Sequence, residues 1–519
     1  MNSRVARSAS DFSLIPLAAA LMLACVGTAQ AGAAAAGRNA GFGVSMSPAW
    51  IPGDGSGVAA FMLALKAARV KPASAIRAPA ATTAVTSCAD DNGSGTLRNV
   101  VAAASEGDTI DLGALTCSVI TLAQGAIPVM ADTLTISGPG QNALAIDGAG
   151  ADRVFVHYGY YELRLNALTV RNGVNVRSGY KVAAGGCIAS NGYITLDHST
   201  VSGCVANGEG AYGGGIIARG VTLYTSTLSG NVARGTNLNT LTASYGGGAF
   251  AYHGTAALYD SSVSGNGATL DAANPFGSYD TGGGIFADNG GYALRSTIDG
   301  NYSSGTGGGI ASHAGFFVTN STISGNIAKN KSGGGIFVRM SDAMSVSNST
   351  IAHNSAFKGG GIYVAGTPQS FELQSTIVAD NAAGSGAADI AVQMTQTISG
   401  ANNLVVTAAA AAALPGDTLH AEPNLLPLAH NGGPTRTHAL AQGSPAINMG
   451  NDVANLATDQ RGAGFPRVVG AGPDIGAYES AVVSPPPVPV PALPGWLPGL
   501  LVGALAWPGL RILRRISPS

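Results

Sequence analysis

Five chemically capable side chains recur at one place in the middle of the chain. Arg219, Tyr252, Asp288, His313 and Arg339 each stand six residues after the first glycine of a triple-glycine run. A carboxylate, an imidazole, a phenol and two guanidinium groups are the means of acid–base work on a sugar chain. A glycosidase, however, needs two carboxylates facing each other across about 5 to 9.5 Å. A calcium-dependent lyase needs a carboxylate cluster with a base beside it. The stripe supplies a single carboxylate, and exposed turn residues give the same pattern, so no catalytic residue is assigned. The sequence has no His-Glu-x-x-His, nucleophile elbow, P-loop or Cys-x-x-Cys, and its Gly-rich runs lack the aspartate spacing of calcium-binding rolls. No metal site and no cofactor is expected.

The stripe must be held by the repeat that carries it. Triple-glycine runs begin at Gly213, Gly246, Gly282, Gly307, Gly333 and Gly359. Each is followed by a short apolar stretch such as "IFA" or "IFV", a turn, and an alternating segment ending in "STL", "SSV" or "STI". These are period-two, β-branched strand signals. Several short strands in a unit of about 25 residues make one coil of a parallel β-helix, an all-β solenoid. Stacked coils then bury Ile216, Ile285, Ile310, Ile336 and Ile362 in one column, with the preceding glycine making a tight turn. Four residues beyond the second residue of each Ser/Thr pair stand Asn231, Asn266, Asn301, Asn326 and Asn354. In coils about 4.8 Å apart such amides form a hydrogen-bonded ladder. Cys204 and Asp380 are expected in that slot at the two ends. The sequons at Asn320 and Asn348 arise from the same repeat and read as structural.

Composition narrows the function. With 519 residues, 75 glycines, 10% charged residues and a formal net charge of −2, the chain is too uncharged for disorder. There is no basic excess and no Lys/Arg cluster inside the repeats, so nucleic acid is not an expected partner. Arg4 and Arg7 precede an apolar run from Phe12 to Val26, and Ala29-Gln30-Ala31 follows. Residues 1–31 therefore read as a signal peptide removed by signal peptidase, ahead of an Ala/Gly-rich segment, 32–86. Cys88, Cys117, Cys187 and Cys204 are an even set in an exported chain. Proximity pairs Cys88 with Cys117 and Cys187 with Cys204, with free buried thiols as the alternative.

The "GGGI" repeats resemble right-handed parallel β-helix surface proteins, including those with polymorphic outer-membrane-type repeats, which implies a right-handed solenoid over residues 136–410. "CADDNGSGTLRNVVAAASEGDTIDL" (88–112) is similar to the start of many bacterial secreted β-helices, where a short helix closes the first coil. It places an N-terminal cap at 87–135. "NGGPTRTHALAQGSPAINMGN" and "TDQRGAGFPRVVGAGPDIGAYE" resemble the choice-of-anchor region of such exported proteins, here 411–480. A Pro-rich linker, 481–494, and a hydrophobic tail with a basic end, 495–519, complete the chain. "VPALPGW" followed by an apolar stretch and "RILRR" resembles an IPTL-type C-terminal sorting signal, although Val490 and Ala492 replace the usual Ile and Thr. The resemblance implies that Pro491, Trp496, Arg514 and Arg515 carry the signal and that an exosortase-type enzyme processes it. Before processing, the tail would contact the membrane, with its arginines inside. The protein would then reach the cell surface, outer membrane or medium of a Gram-negative-type bacterium.

Two functions fit. One is a non-catalytic structural or adhesive surface protein, and the other a secreted polysaccharide lyase or glycoside hydrolase on the same scaffold. The first is favoured. Between the ladder asparagine and the next glycine run, two consecutive coils carry insertions, "VARGTNLNTLTASY" (232–245) and "GATLDAANPFGSYD" (267–280). Insertions on one face of a repeat protein mark a binding surface. Tyr245, Phe276 and Tyr279 supply aromatic area there, and Arg234 and Asp271 polar contacts, for a glycan or matrix ligand.

Overall fold

One coil shows how the sequence becomes a solenoid. Ile336–Val338 is followed by Met344–Ser347, Thr350–Ala352 and Ser355–Lys358, and the chain then returns at Ile362–Val364, one layer on. Ile336 lies beside Ile362, and Ile351 beside Val378. The computed structural model describes residues 80–177, 182–236, 243–270, 282–339 and 342–481. Among these, the four strand types build parallel sheets of ten, thirteen, eleven and eight strands, in the order the chain visits them, with a further sheet of three. The fold is a right-handed parallel β-helix. Its inward column runs Ile188, Ile216, Ala249, Ile285, Ile310, Ile336, Ile362, Ile390, all buried. Burying each isoleucine is worth roughly 1.5–3 kcal/mol, and no single coil could do so alone.

The glycine run has two separate causes. The first glycine takes a left-handed conformation, with φ between 58° and 72° across the six runs, which a Cβ would oppose. The other two permit close stacking. A Cβ on Gly334 would lie 2.4 Å from the Gly360 carbonyl oxygen, and one on Gly335 would lie 2.7 Å from that of Gly361. The third glycine also makes room for the ladder, since its Cβ would press on the Asn354 amide at 3.2 Å.

The ladder forms. The Asn301 side-chain amide donates to Asn326 Oδ1 at 2.9 Å and to the Val263 carbonyl at 2.9 Å, while the Asn301 backbone N–H donates to the same Oδ1 at 3.0 Å. Asn231, Asn266, Asn326 and Asn354 repeat this set. Its far end corrects the expectation for Asp380. The Thr350 partner in the next coil is Ile377, one residue later than the Ser-Thr count implies. The ladder therefore continues to Asn381, whose amide donates to Asp389 at 2.9 Å. At the near end Cys204 does take the slot, its N–H donating to Asn231. Cys187 occupies the third-glycine position facing it, and a disulfide joins the two, as another joins Cys88 to Cys117. A covalent bond thus begins the ladder and a carboxylate ends it. The serine of each pair makes a second ladder: Ser261 N–H donates to Ser296 Oγ, and Ser296 N–H to Ser321 Oγ, at 3.1 Å each.

At the N-terminal end Thr96 caps a helix, Leu97–Ala103. Asp90 accepts both arms of Arg98 and the N–H groups of Ala123 and Gln124. Burial raises the Asp90 pKa, but these donors outweigh it and hold the carboxyl below its ordinary range.

Residues 419–481 fold back along the outer face of the eleven-stranded sheet. Leu440, Ala446 and Ile475 pack on Ile377, Ala379 and Leu404. Gln460 is wholly buried, accepting from Thr322 at 2.6 Å and donating to Thr297 at 2.9 Å. Arg436 pairs with Asp299, and Ser324 bonds His438 at 2.8 Å. Asn320 and Asn348, the two sequon asparagines, adopt positive φ and donate to the carbonyls of Thr458 and Asn451. Both are buried. Within this clasp Arg461 is bonded to Asp459 and lies 4.1 Å from the Phe465 ring centre and 3.9 Å from that of Tyr478. Among the described residues no helix is long and apolar enough to cross a membrane.

Candidate functional site

The stripe seen in the sequence lies where each coil leaves the ten-stranded sheet. The N–H groups of Tyr252, Asp288, His313 and Arg339 donate to Ala218, Ala251, Ala287 and Ser312, the residues ending the equivalent strands one layer back. The five positions are therefore stacked. Asp288 is their only carboxylate and it is engaged: its Oδ2 accepts the His253 N–H at 3.0 Å, His313 Nδ1 is 3.4 Å from Oδ1, and His253 Nδ1 is 4.0 Å from Oδ2. His313 meets the Phe286 ring edge-on at 4.8 Å. Burial, and then the Asp288 charge, push the Tyr252 hydroxyl above its ordinary pKa. This arrangement sets one carboxylate between two imidazoles. It does not supply a second carboxylate across a sugar ring.

The insertion edge is broader than the two coils expected. Val232–Gly235 and Gly267–Leu270 pair in register, so the opening four residues of each insertion are sheet and the two leave the solenoid side by side. The two preceding coils also take a long path here, through Val174–Val176 to Val182–Ala184 and Val205–Gly208 to Gly210–Tyr212. Their second strands pair with each other and with Ser244–Tyr245 as the three-stranded sheet. Tyr245 is half-buried, with ring centres 5.3 Å from Tyr212 and 4.9 Å from Phe286. It belongs to an aromatic layer over the ten-stranded sheet, and Arg234 is exposed on the adjoining eight-stranded sheet. Asp271, Phe276 and Tyr279 lie outside the described residues, as do residues 1–31, expected as a signal peptide, and Pro491, Trp496, Arg514 and Arg515.

The aromatic layer itself went unread in the sequence. Its members Phe250, Phe286, Phe337 and Tyr363 are the middle residues of "AFA", "IFA", "IFV" and "IYV", aligned coil to coil. The alternation was the signal, since the flanking residues point inward and the middle one must point out. Among the described residues no group of three His, Cys, Asp or Glu side chains is placed to hold a metal ion.

Residues 278–418 match the family model described as right handed beta helix region. No curated protein matches the chain. A solved structure, pectate lyase Pel9A, resembles it at 14% identity with a TM-score of 0.41, covering 77% of this chain and 97% of that one. At that distance the likeness carries no inference about chemistry.

Proposed function

We propose that this protein is an exported, non-catalytic surface rod that presents one lateral edge to a glycan or matrix ligand. The observation that carries the reading is the alignment of extended excursions in consecutive coils at one turn, between the eight-stranded and ten-stranded sheets. Loop excursions cost a solenoid little, but a run of them at one turn builds a continuous surface. Two disulfides suit an oxidising compartment. Export would be followed by signal-peptide removal and processing of the tail by an exosortase-type enzyme. Intact mass of the released protein tests the processing, and a retained "RILRR" peptide would refute it.

The binding edge is tested by replacing residues 236–243 and 271–281 with short Gly-Ser links. Melting should be unchanged and attachment to a glycan and matrix-protein array should weaken. Unaltered attachment would refute the edge as the binding surface. The enzyme reading rests on Asp288 with its two imidazoles and predicts that wild-type protein, but not Asp288→Asn, cleaves a polysaccharide panel.

A further inference from the structure

The chain has six lysines, at 66, 71, 181, 329, 331 and 358. The three among the described residues lie together on two adjoining strands of the eight-stranded sheet, which corrects the expectation of no Lys/Arg cluster in the repeats: Lys329 and Lys331 are near in sequence, and stacking adds Lys358. Ile327–Ser332 pairs with Ser355–Lys358, and the register breaks between Ala328 and Ser332, where Ser332 comes opposite Lys358. That bulge pushes Lys329, Asn330 and Lys331 outward, and all three are exposed, as is Lys358. Ala328 and Ala356 point into the core, so by alternation Ile327 and Phe357 point out, 42% and 49% exposed. A Cβ on Gly384 would lie 3.2 Å from the Phe357 ring, so the next coil sets only backbone beneath that ring. The turns of this edge at 302–307, 327–333 and 355–359 contain no Asp or Glu.

We propose that Lys329, Lys331, Lys358 and Phe357 form a binding site for an acidic polysaccharide. Three exposed ammonium groups with no carboxylate on their own turns make a local positive patch that favours an anionic partner, and their charge is opposite to that of the chain as a whole. An exposed phenyl face beside them suits a ligand that is both anionic and partly apolar. A uronate chain is both, since its carboxylates can meet the lysines while the C–H face of a sugar ring lies on Phe357. A polyphosphate backbone or an acidic peptide would use the charges and ignore the ring. The site deepens the adhesive reading but does not depend on the insertions. Protein with shortened loops should still bind here, so failure of the insertion edge and failure of this site are read separately.

The test is binding of the full chain to alginate, with neutral dextran, polyglutamate and a DNA oligomer of matched charge as comparisons. Wild-type protein should bind alginate and not dextran, with affinity falling as salt rises. The triple variant Lys329→Glu, Lys331→Glu, Lys358→Glu should lose about tenfold or more at unchanged melting temperature. Phe357→Ala should lose severalfold for alginate and nothing for polyglutamate. Absence of alginate binding, or binding untouched by the triple variant, would overturn the proposal. Equal binding of polyglutamate or DNA, with no dependence on Phe357, would overturn it too, leaving a cationic patch without sugar recognition.

Discussion

The eleven-stranded and eight-stranded sheets adjoin at the asparagine corner, yet their outer faces have opposite fates. On the first, Thr297, Thr322 and Thr350 are buried under the clasp and bonded to its Arg436, Gln460 and Ala477. On the second, the coils of Thr322 and Thr350 present Ile327, Lys329 and Phe357 outward, all three exposed. Short hydroxyl side chains let a second layer approach and hydrogen-bond, whereas long cations and an aromatic ring keep other chain segments away. A solenoid face is therefore committed to self-contact or to outside contact by the residues between its core positions.

The largest effect should come from the corner that both faces share. Asn326→Ala removes the acceptor of the Asn301 N–H and of its side-chain amide, leaving two buried donors unpaired at a cost of about 4 kcal/mol. Denaturant unfolding measures it, and a loss below about 1 kcal/mol would show that water or relaxation satisfies those groups. Between the faces the contrast should be plain. Gln460→Ala strips hydrogen bonds from Thr297 and Thr322 under the clasp and should cost roughly 2 kcal/mol, while Lys329→Ala on the open face should stay within about 0.5 kcal/mol. Equal costs would remove the distinction.

A smaller effect should follow pH. Burial lowers the His438 pKa, as does the charge of His353 at a ring separation of 5.0 Å, while the Leu426 carbonyl and Asp380 oppose the shift. With Nδ1 donating to Leu426 and Nε2 accepting from Ser324, the ring is held neutral. A folded pKa below the ordinary 6.5 means that its contribution is complete above that value and is lost as pH falls through the lowered one. Proteolytic release of the clasp should rise as pH drops below 6.5, and His438→Gln should flatten the dependence. Release unchanged by acid would show the ring tolerates its proton.

The coil was legible because its causes are local and periodic. Glycine at a left-handed turn and asparagine in a stack recur visibly from Gly213 to Asn354. Asp380 misled because the pair "ST" at Ser375 and Thr376 slips by one residue, and only strand register shows that Thr376 stands where Ser349 does in the coil before. The clasp was not legible as a clasp, since the contacts of Gln460 with Thr297 and Thr322 join residues far apart in sequence and follow no period. The lysine site was hidden for a similar reason. Lys331 and Lys358 are separated along the chain by a full coil and become neighbours only when coils stack.

Lysine acylation read by mass spectrometry, with and without alginate, tests the central claim that this open face is the outward binding surface. Lys329, Lys331 and Lys358 should be protected by alginate and label as before when dextran replaces it. Uniform labelling with alginate bound would contradict the claim and move the ligand to another face.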